Sequence, residues 1–376
     1  MLITTDDQLA AFAERAARSE VLAIDTEFMR EKTYSPRLCL LQMGTDDEQV
    51  AVDPFAVRDV EPLRVLFSDP AITKVLHACS QDMEVILQYC GVLPRPLFDT
   101  QIAAAFLGDH YQIGYGPLVE AYTGVCLPKT ESLTDWARRP LDAAQLEYAL
   151  DDVRYLPRIW REMREKLERS GRLSWLEPEF ARASDPATYR HDPREAFRRV
   201  KHVGSLSRRQ LAVAREVAAW RDERAREIDR PRRWVLSDEV LVEVARRMPT
   251  SVNQLGRIRG MDAVASSDQT RIATAVRRGL ACPFEQCPEM EHRVRPSADQ
   301  ESVCDLMYAL TRMVADQERL SPALLASRDD LARYLLDRPS SSLASGWRAE
   351  LLGSRLDELL DGQLGLTVKS GRIELL

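Results

Sequence analysis

The stretch VLAIDTEFMR, residues 21 to 30, decides how the chain is read. Val21, Leu22, Ala23 and Ile24 form an apolar run of the kind that builds a buried strand, and the run ends in two carboxylates, Asp25 and Glu27, one residue apart. Side chains alternate faces along a strand, so Asp25 and Glu27 project to one side and Thr26 to the other. Two like charges held that close either raise a pKa or call for a cation between them.

Working outward, Val-, Ile- and Leu-rich runs at 21–25, 37–43 and 49–52 are separated by polar breaks at 30–36 and 44–48, short enough to predict an antiparallel meander. A helical pattern at 60–68, an apolar strand at 73–77, a helix at 80–90 and a short strand at Leu97–Phe98 follow. Strands alternating with helices imply an α/β layered fold with a mixed sheet. From Thr100 onward the pattern is helical, and LDAAQLEYALDDVRYLPRIWREMREKLERS is a long amphipathic stretch in which Pro157 marks a kink or a break.

Two further clusters give the acid pair partners. Asp82, in HACSQDMEVI, falls in the first turn of the helix after a strand, where sites of α/β proteins gather. In EYALDDVRYL, Tyr148 and Asp152 are four apart and share a helix face, whereas Asp151 is turned about 100° away. Carboxylates without interleaved histidines favour Mg²⁺ or Mn²⁺ over zinc. Two such ions about 4 Å apart stabilise the attacking and leaving oxygens of phosphodiester hydrolysis. A tyrosine hydroxyl is suited to orienting the attacking water.

The chain has 376 residues, which predicts more than one domain. The N-terminal stretch carries acids where a signal peptide needs bases, and no run reaches the length of a membrane span. Together with an odd number of cysteines, seven, this predicts a cytoplasmic protein without disulfides. Cys282, Cys287 and His292 match no common zinc spacing and read as part of a proline-punctuated linker. Net charge is −7 overall, but residues 1–170 hold 18 Lys/Arg against 28 Asp/Glu, while residues 190–233 hold 14 against 7. That basic stretch suits a polyanion, although RDERAREIDR also reads as a solvated, ion-paired helix. In the C-terminal half, Ser237, Leu241, Pro249, Ser251 and Gly256 recur 90 residues later as Ser327, Leu331, Pro339, Ser341 and Gly346. The expected organisation is a first domain at 1–180, a linker or arm at 181–202, a helical domain at 203–282, a linker at 283–297 and a second helical domain at 298–376.

Asp25-x-Glu27, then Asp82, then Tyr148-x3-Asp152 resembles, in order and spacing, the three exonuclease motifs of the DEDD superfamily in its tyrosine-bearing branch. SPRLCLLQ, FDTQIAAAFLG and KTESLTDWARRPL are similar to the ribonuclease D family over residues 20–160, and LSRRQLAVAREVAAWRDERAREIDRPRRWVLSDEVL resembles an HRDC module, the helicase-and-ribonuclease-D C-terminal domain. The copy at 298–376 is more divergent. The resemblance implies a ribonuclease-H-like (DnaQ-like) α/β exonuclease domain followed by two small all-α HRDC domains. It implies two Mg²⁺ or Mn²⁺ ions on Asp25, Glu27, Asp82 and Asp152, with Tyr148 positioning the water. The implied reaction is 3′-to-5′ release of nucleoside 5′-monophosphates from RNA with a single-stranded 3′ end, tRNA precursors among them, by a monomer that does not bind membranes.

Further contacts are expected at Phe28 and Met29, by stacking on terminal bases, and at His77 and Gln81, on the sugar or phosphate; core packing and surface decoration are the competing readings. Lys129, Trp136 and Arg139 flank a hydroxyl-rich loop that would approach the nucleic-acid backbone, Trp136 by itself reading rather as core and Arg139 as facing solvent or phosphate. Arg230, Arg232 and Arg233 beside Trp234 suggest a phosphate-contacting surface with an aromatic anchor. Two rival functions remain: a DNA exonuclease of the same superfamily, and a non-catalytic nucleic-acid-binding protein built on HRDC modules.

Overall fold

In the computed structural model, which describes residues 1–128, 134–290 and 296–376, the acid pair sits in a six-stranded mixed sheet. The elements that build the site are β1 (Leu2–Ile3), α1 (Asp6–Ala16), β2 (Val21–Met29), β3 (Arg37–Gly44), β4 (Gln49–Val52), α2 (Glu61–Ser68), β5 (Thr73–Leu76), α3 (Ser80–Cys90), β6 (Leu97–Asp99), α4 (Thr100–Leu107), α5 (Tyr115–Thr123), α6 (Ala143–Arg154) and α7 (Leu156–Arg169). The strand order is β1-β4-β3-β2-β5-β6. β3 and β4 pair antiparallel, as the short polar break predicts, while β2 runs parallel to β5 and β5 to β6. β1 and α1 arise from the N-terminal stretch, for which the sequence reading offered no element.

The parallel register Val21↔Thr73, Leu22↔Lys74, Ala23↔Val75 places Asp25 and Glu27 beyond the paired part of the two strands, toward the carboxyl end of β5. Ligand sites of α/β sheets form at that end. Residues 21–24 are fully buried, which fixes the register, because a one-residue slip would turn the carboxylates into the core. The long amphipathic stretch breaks at Tyr155, between α6 and the proline-started α7. α7 buries Leu156, Ile159, Trp160, Met163 and Leu167, each worth roughly 1.5–3 kcal/mol of apolar burial.

The chain divides into two compact units, one of Met1–Glu27, Leu38–Thr188 and Arg293–Leu376, the other of Phe28–Arg37 and Tyr189–His292. This differs from three successive domains. The helix Ala298–Glu318 buries Met307, Leu310 and Val314 in the same hydrophobic core as Phe106, Ile159 and Met163, so the second helical module packs into the first unit. Arg172 ties it there, donating to the Phe106 carbonyl at 3.1 Å and to the Glu318 carbonyl at 2.9 Å. The module is also not all-α: β7 (Leu366–Lys369) and β8 (Arg372–Leu375) pair antiparallel around Ser370 and Gly371, both at positive φ. A Ser-Gly pair between alternating apolar residues is the hairpin signal that could have disclosed it.

In the second unit the helix Arg208–Glu227 crosses Ser266–Leu280 closely, with Gly279 at the crossing, where a Cβ would lie 2.5 Å from the Val213 Cα. Residues 193–199, expected as linker, form a turn of helix whose Phe197 is fully buried in this core. The 90-residue recurrence is structural at its caps: Ser237 and Ser327 cap equivalent helices, and the boxes Ser207/Gln210 and Ser297/Gln300 open the two long ones. Among the described residues, no helix is long and apolar enough to cross a membrane.

Candidate active site

Three elements converge on the acids. β2 carries Asp25 and Glu27; α3 begins at the end of β5 and puts Asp82 in its first turn; α6 presents Tyr148 and Asp152 beside its buried stripe of Gln145, Ala149 and Val153. A capping box starts α6: the Asp142 carboxylate accepts from the Gln145 N–H at 2.8 Å, and the Gln145 side chain accepts from the Asp142 N–H at 3.0 Å. Gly44 lets this helix lie against β3, since a Cβ there would stand 3.1 Å from the Val153 carbonyl oxygen.

Carboxylate oxygens of Asp25, Glu27 and Asp152 lie within 4.8 Å of one another, the one such cluster of metal-type side chains among the described residues. Burial, and then the charges of Asp82, Asp152 and Glu27, push Asp25 well above the usual carboxylate range. Glu27 is raised to about 8 by burial and by Asp152 and Asp82, and Asp152 to about 7 by burial and Asp151. Acids that hold protons this tightly are starved of positive charge, and a divalent cation among them removes the penalty. The donor set is all oxygen, which fits a hard cation.

Asp82 stands beside this trio. Burial raises it to about 6 against the opposing effect of Thr26, whose hydroxyl donates to Asp82 Oδ1 at 2.5 Å. Tyr148 is half-buried with its ring 6.1 Å from that of Trp136, and burial together with Asp152, Glu27 and Asp25 raises its phenol, so it stays protonated. Asp151 is engaged with Arg154 and lies off the acid face.

The other expected contacts are placed as follows. Phe28 and Met29 are half-buried at the end of β2, and Gln81 is exposed on the first turn of α3. His77 bonds through Nδ1 to the Thr100 hydroxyl at 2.9 Å, with its ring 5.7 Å from Tyr115, and burial lowers its pKa. Trp136 is buried against Tyr148 rather than open to solvent. Arg139 is a correction. Its guanidinium clamps Asp53 at 2.7 and 2.9 Å and donates to the carbonyls of Cys39 and Trp136, so it braces the β3–β4 pair and has no donor face left for phosphate. Lys129 and His292 lie outside the described residues.

Three contributors were missed by sequence reasoning. Thr26 turns Asp82. Asp99 accepts from the N–H groups of Ala78 and Cys79 and caps α4, fixing the turn from which α3 starts. Tyr115 donates to the Asp151 carbonyl at 2.7 Å and steadies α6. Asp99 followed by Thr100 and an apolar helix is an N-cap signal that could have been read.

A sheet of this order, with four carboxylates and a tyrosine at its carboxyl end, defines a 3′–5′ exonuclease of the DnaQ-like class, and residues 1–168 match the 3′-5′ exonuclease family. Residues 210–269 match the HRDC domain. Ribonuclease D of Sphingobium indicum is 39% identical over 100% of this chain and 98% of its own length, and that of Gluconacetobacter diazotrophicus 39% identical over 100% and 96%. The solved structure of Escherichia coli RNase D, an exoribonuclease involved in structured RNA processing, aligns with a TM-score of 0.85 at 35% identity, covering 96% of this chain and 98% of that one. The chain belongs to the ribonuclease D family. It is accordingly a hydrolytic 3′–5′ exoribonuclease.

Proposed function

We propose that the protein trims single-stranded 3′ ends of structured RNA, tRNA precursors among them, with Asp25, Glu27, Asp82 and Asp152 holding two Mg²⁺ or Mn²⁺ ions. The observation that carries this reading is the convergence of Asp25, Glu27 and Asp152 within 4.8 Å, their protons held first by burial and then by the charge of neighbouring carboxylates. When bound, two such ions supply the positive charge that acidifies water and stabilises the leaving oxygen.

The chain's own groups do the rest. Glu27 and Asp152 would hold the cations as carboxylates, without the protons that burial keeps on them in the metal-free protein. Tyr148, a neutral phenol at any working pH because burial and three carboxylates raise it, orients the attacking water by hydrogen bond and does not deprotonate it. Thr26 and Asp99 hold Asp82 and its helix in place. Water oxygen bonds to the terminal phosphorus as the water gives up a proton to solvent, the P–O3′ bond to the penultimate nucleotide breaks and O3′ takes a proton from solvent, and a nucleoside 5′-monophosphate is released. Phe28, Met29, His77 and Gln81 are proposed to contact the terminal nucleotides.

The protein is proposed to act as a cytoplasmic monomer; its seven cysteines are all free thiols, which suits a reducing compartment. Matched 3′-tailed RNA and DNA, offered with Mg²⁺ or Mn²⁺ and followed by product length over time, test the reading. RNA shortened one nucleotide at a time supports it, and preferential shortening of DNA overturns the substrate assignment.

A further inference from the structure

Cys282 and Cys287, five residues apart, take no part in the chemistry above, and the fold of the second unit brings them together. The helix Ser266–Leu280 ends at Ala281, and a single turn, Phe284–Gln286, sends the chain back on itself. The Gln286 N–H donates to the Pro283 carbonyl at 3.0 Å and the Cys287 N–H to the Phe284 carbonyl at 3.1 Å, which closes the turn. The Cys287 thiol donates to the Pro283 carbonyl at 3.5 Å, and the Cys282 sulfur lies within hydrogen-bond reach of that thiol. Both cysteines are free.

Three arginines of the helix Arg208–Glu227 hold this loop. Arg208 donates to the Cys287 carbonyl at 3.1 Å, and its guanidinium lies 4.8 Å over the Phe284 ring. Arg209 donates to the Leu280 carbonyl at 3.1 Å and to that of Cys282. Arg215 donates through Nη2 to the Cys282 sulfur at 3.5 Å. The two thiols therefore differ in their surroundings. Cys282 is half-buried and carries a guanidinium on its sulfur, a cation that stabilises negative charge there. Cys287 is 3% exposed, and burial, ahead of the opposing charge of Arg209, raises its thiol, so it keeps its proton. An accessible thiol beside fixed positive charge, with a second thiol in reach, is the arrangement in which a sulfenic acid forms and is then resolved. Cysteines that only fill space have no need of a cation on the sulfur. Two thiols also fall short of the four donors of a structural zinc.

We propose that Cys282 and Cys287 form an oxidative modification site, at which hydrogen peroxide oxidises Cys282 and Cys287 resolves the product to a reversible disulfide. In the first step the Cys282 thiol loses its proton to solvent and its sulfur attacks the peroxide. An S–O bond forms, the O–O bond breaks, and the leaving hydroxide takes a proton to become water. In the second step the Cys287 sulfur, its proton passing to solvent, attacks the Cys282 sulfur. The S–S bond forms, the S–O bond breaks, and hydroxide leaves and is protonated to water. The sulfurs give up an electron pair and the peroxide takes it. The product ties the end of the helix Ser266–Leu280 covalently to the segment beyond Cys287. A transient redox disulfide of this kind is compatible with a reducing compartment. The site is independent of the exoribonuclease reading.

The test uses the full chain carrying Cys126→Ser, which removes an exposed thiol. The protein is treated with hydrogen peroxide, alkylated, digested with trypsin and mapped by mass spectrometry. The peptide holding residues 282–287 loses two hydrogens and resists alkylation until dithiothreitol restores both thiols. Cys287→Ser leaves Cys282 as a sulfenic acid that dimedone traps, and Arg215→Ala slows the oxidation of Cys282 on the order of tenfold. The first readout needs no substitution in the loop, so it stands even where a variant fails to fold. Full alkylation of Cys282 and Cys287 after peroxide, or oxidation no faster than that of the buried Cys304, overturns the site. A bridge that forms as fast in urea as in the folded chain also overturns it, because nearness in sequence would then suffice.

Discussion

The hydroxyl of Thr26 donates to Oδ1 of Asp82 at 2.5 Å, joining two buried side chains 56 residues apart in the chain. Thr26 lies between the two strand acids, so one β-strand supplies both a pair of metal-type ligands and the donor that orients a third acid. Thr26→Val keeps the shape and removes the donor. It is expected to lower stability by about 1.5–3 kcal/mol, the range for a hydrogen bond to a charged group, and to weaken Mn²⁺ affinity. Thr26→Ser restores both. Denaturant midpoints and Mn²⁺ titrations of the three proteins check this.

Proton linkage gives a second prediction. Glu27, Asp152 and Asp82 have folded-state values of about 8, 7 and 6, above the unfolded carboxylate range near 4. Between pH 4 and 8 the folded state therefore binds more protons than the unfolded one, and stability of the metal-free protein falls as pH rises through that window. Cations reverse the loss, so the stabilisation by Mg²⁺ is larger at pH 8 than at pH 6. Urea midpoints in EDTA and in Mg²⁺ at the two pH values measure it; a Mg²⁺ increment independent of pH would count against the cluster.

Arg139 is expected to behave as a brace. Arg139→Ala leaves Asp53, whose side chain is only 8% exposed, without its partner. Discounted for the one-quarter exposure of the arginine, the cost is on the order of 2 kcal/mol. RNA affinity of the folded variant changes little. A normal melting temperature combined with weakened RNA binding would restore the phosphate contact expected from sequence.

Tyr148→Phe removes one oxygen and keeps the ring against Trp136. Turnover is expected to fall at least about 10²-fold, with metal affinity and thermal midpoint held. Single-turnover hydrolysis beside a Mn²⁺ titration reads the two separately, and full activity would remove Tyr148 from the reaction.

The acids were legible because each lies in a local pattern: i, i+2 on a strand, the first turn after a strand, and i, i+4 on a helix. Local spacing shows the face of an element and not what the face meets. Arg139 was read as solvent-facing because its partner, Asp53, is 86 residues away, and Tyr115 reaches Asp151 across 36. The same limit explains the C-terminal module: the apolar stripe of Met307, Leu310 and Val314 announces a buried face, while its packing beside Met163 depends on the assembled core. β2 to β6 were readable from their apolar runs and the polar breaks between them, and the terminal hairpin was passed over although Ser370-Gly371 marks its turn.

Hydrolysis of a 5′-labelled, 3′-tailed RNA by Asp25→Ala in Mg²⁺ bears most directly on the claim that the strand acids anchor the metals that drive cleavage. The account predicts that the variant binds the RNA and releases no mononucleotide, whereas the wild type shortens it stepwise from the 3′ end. Turnover by Asp25→Ala at the wild-type rate would contradict it.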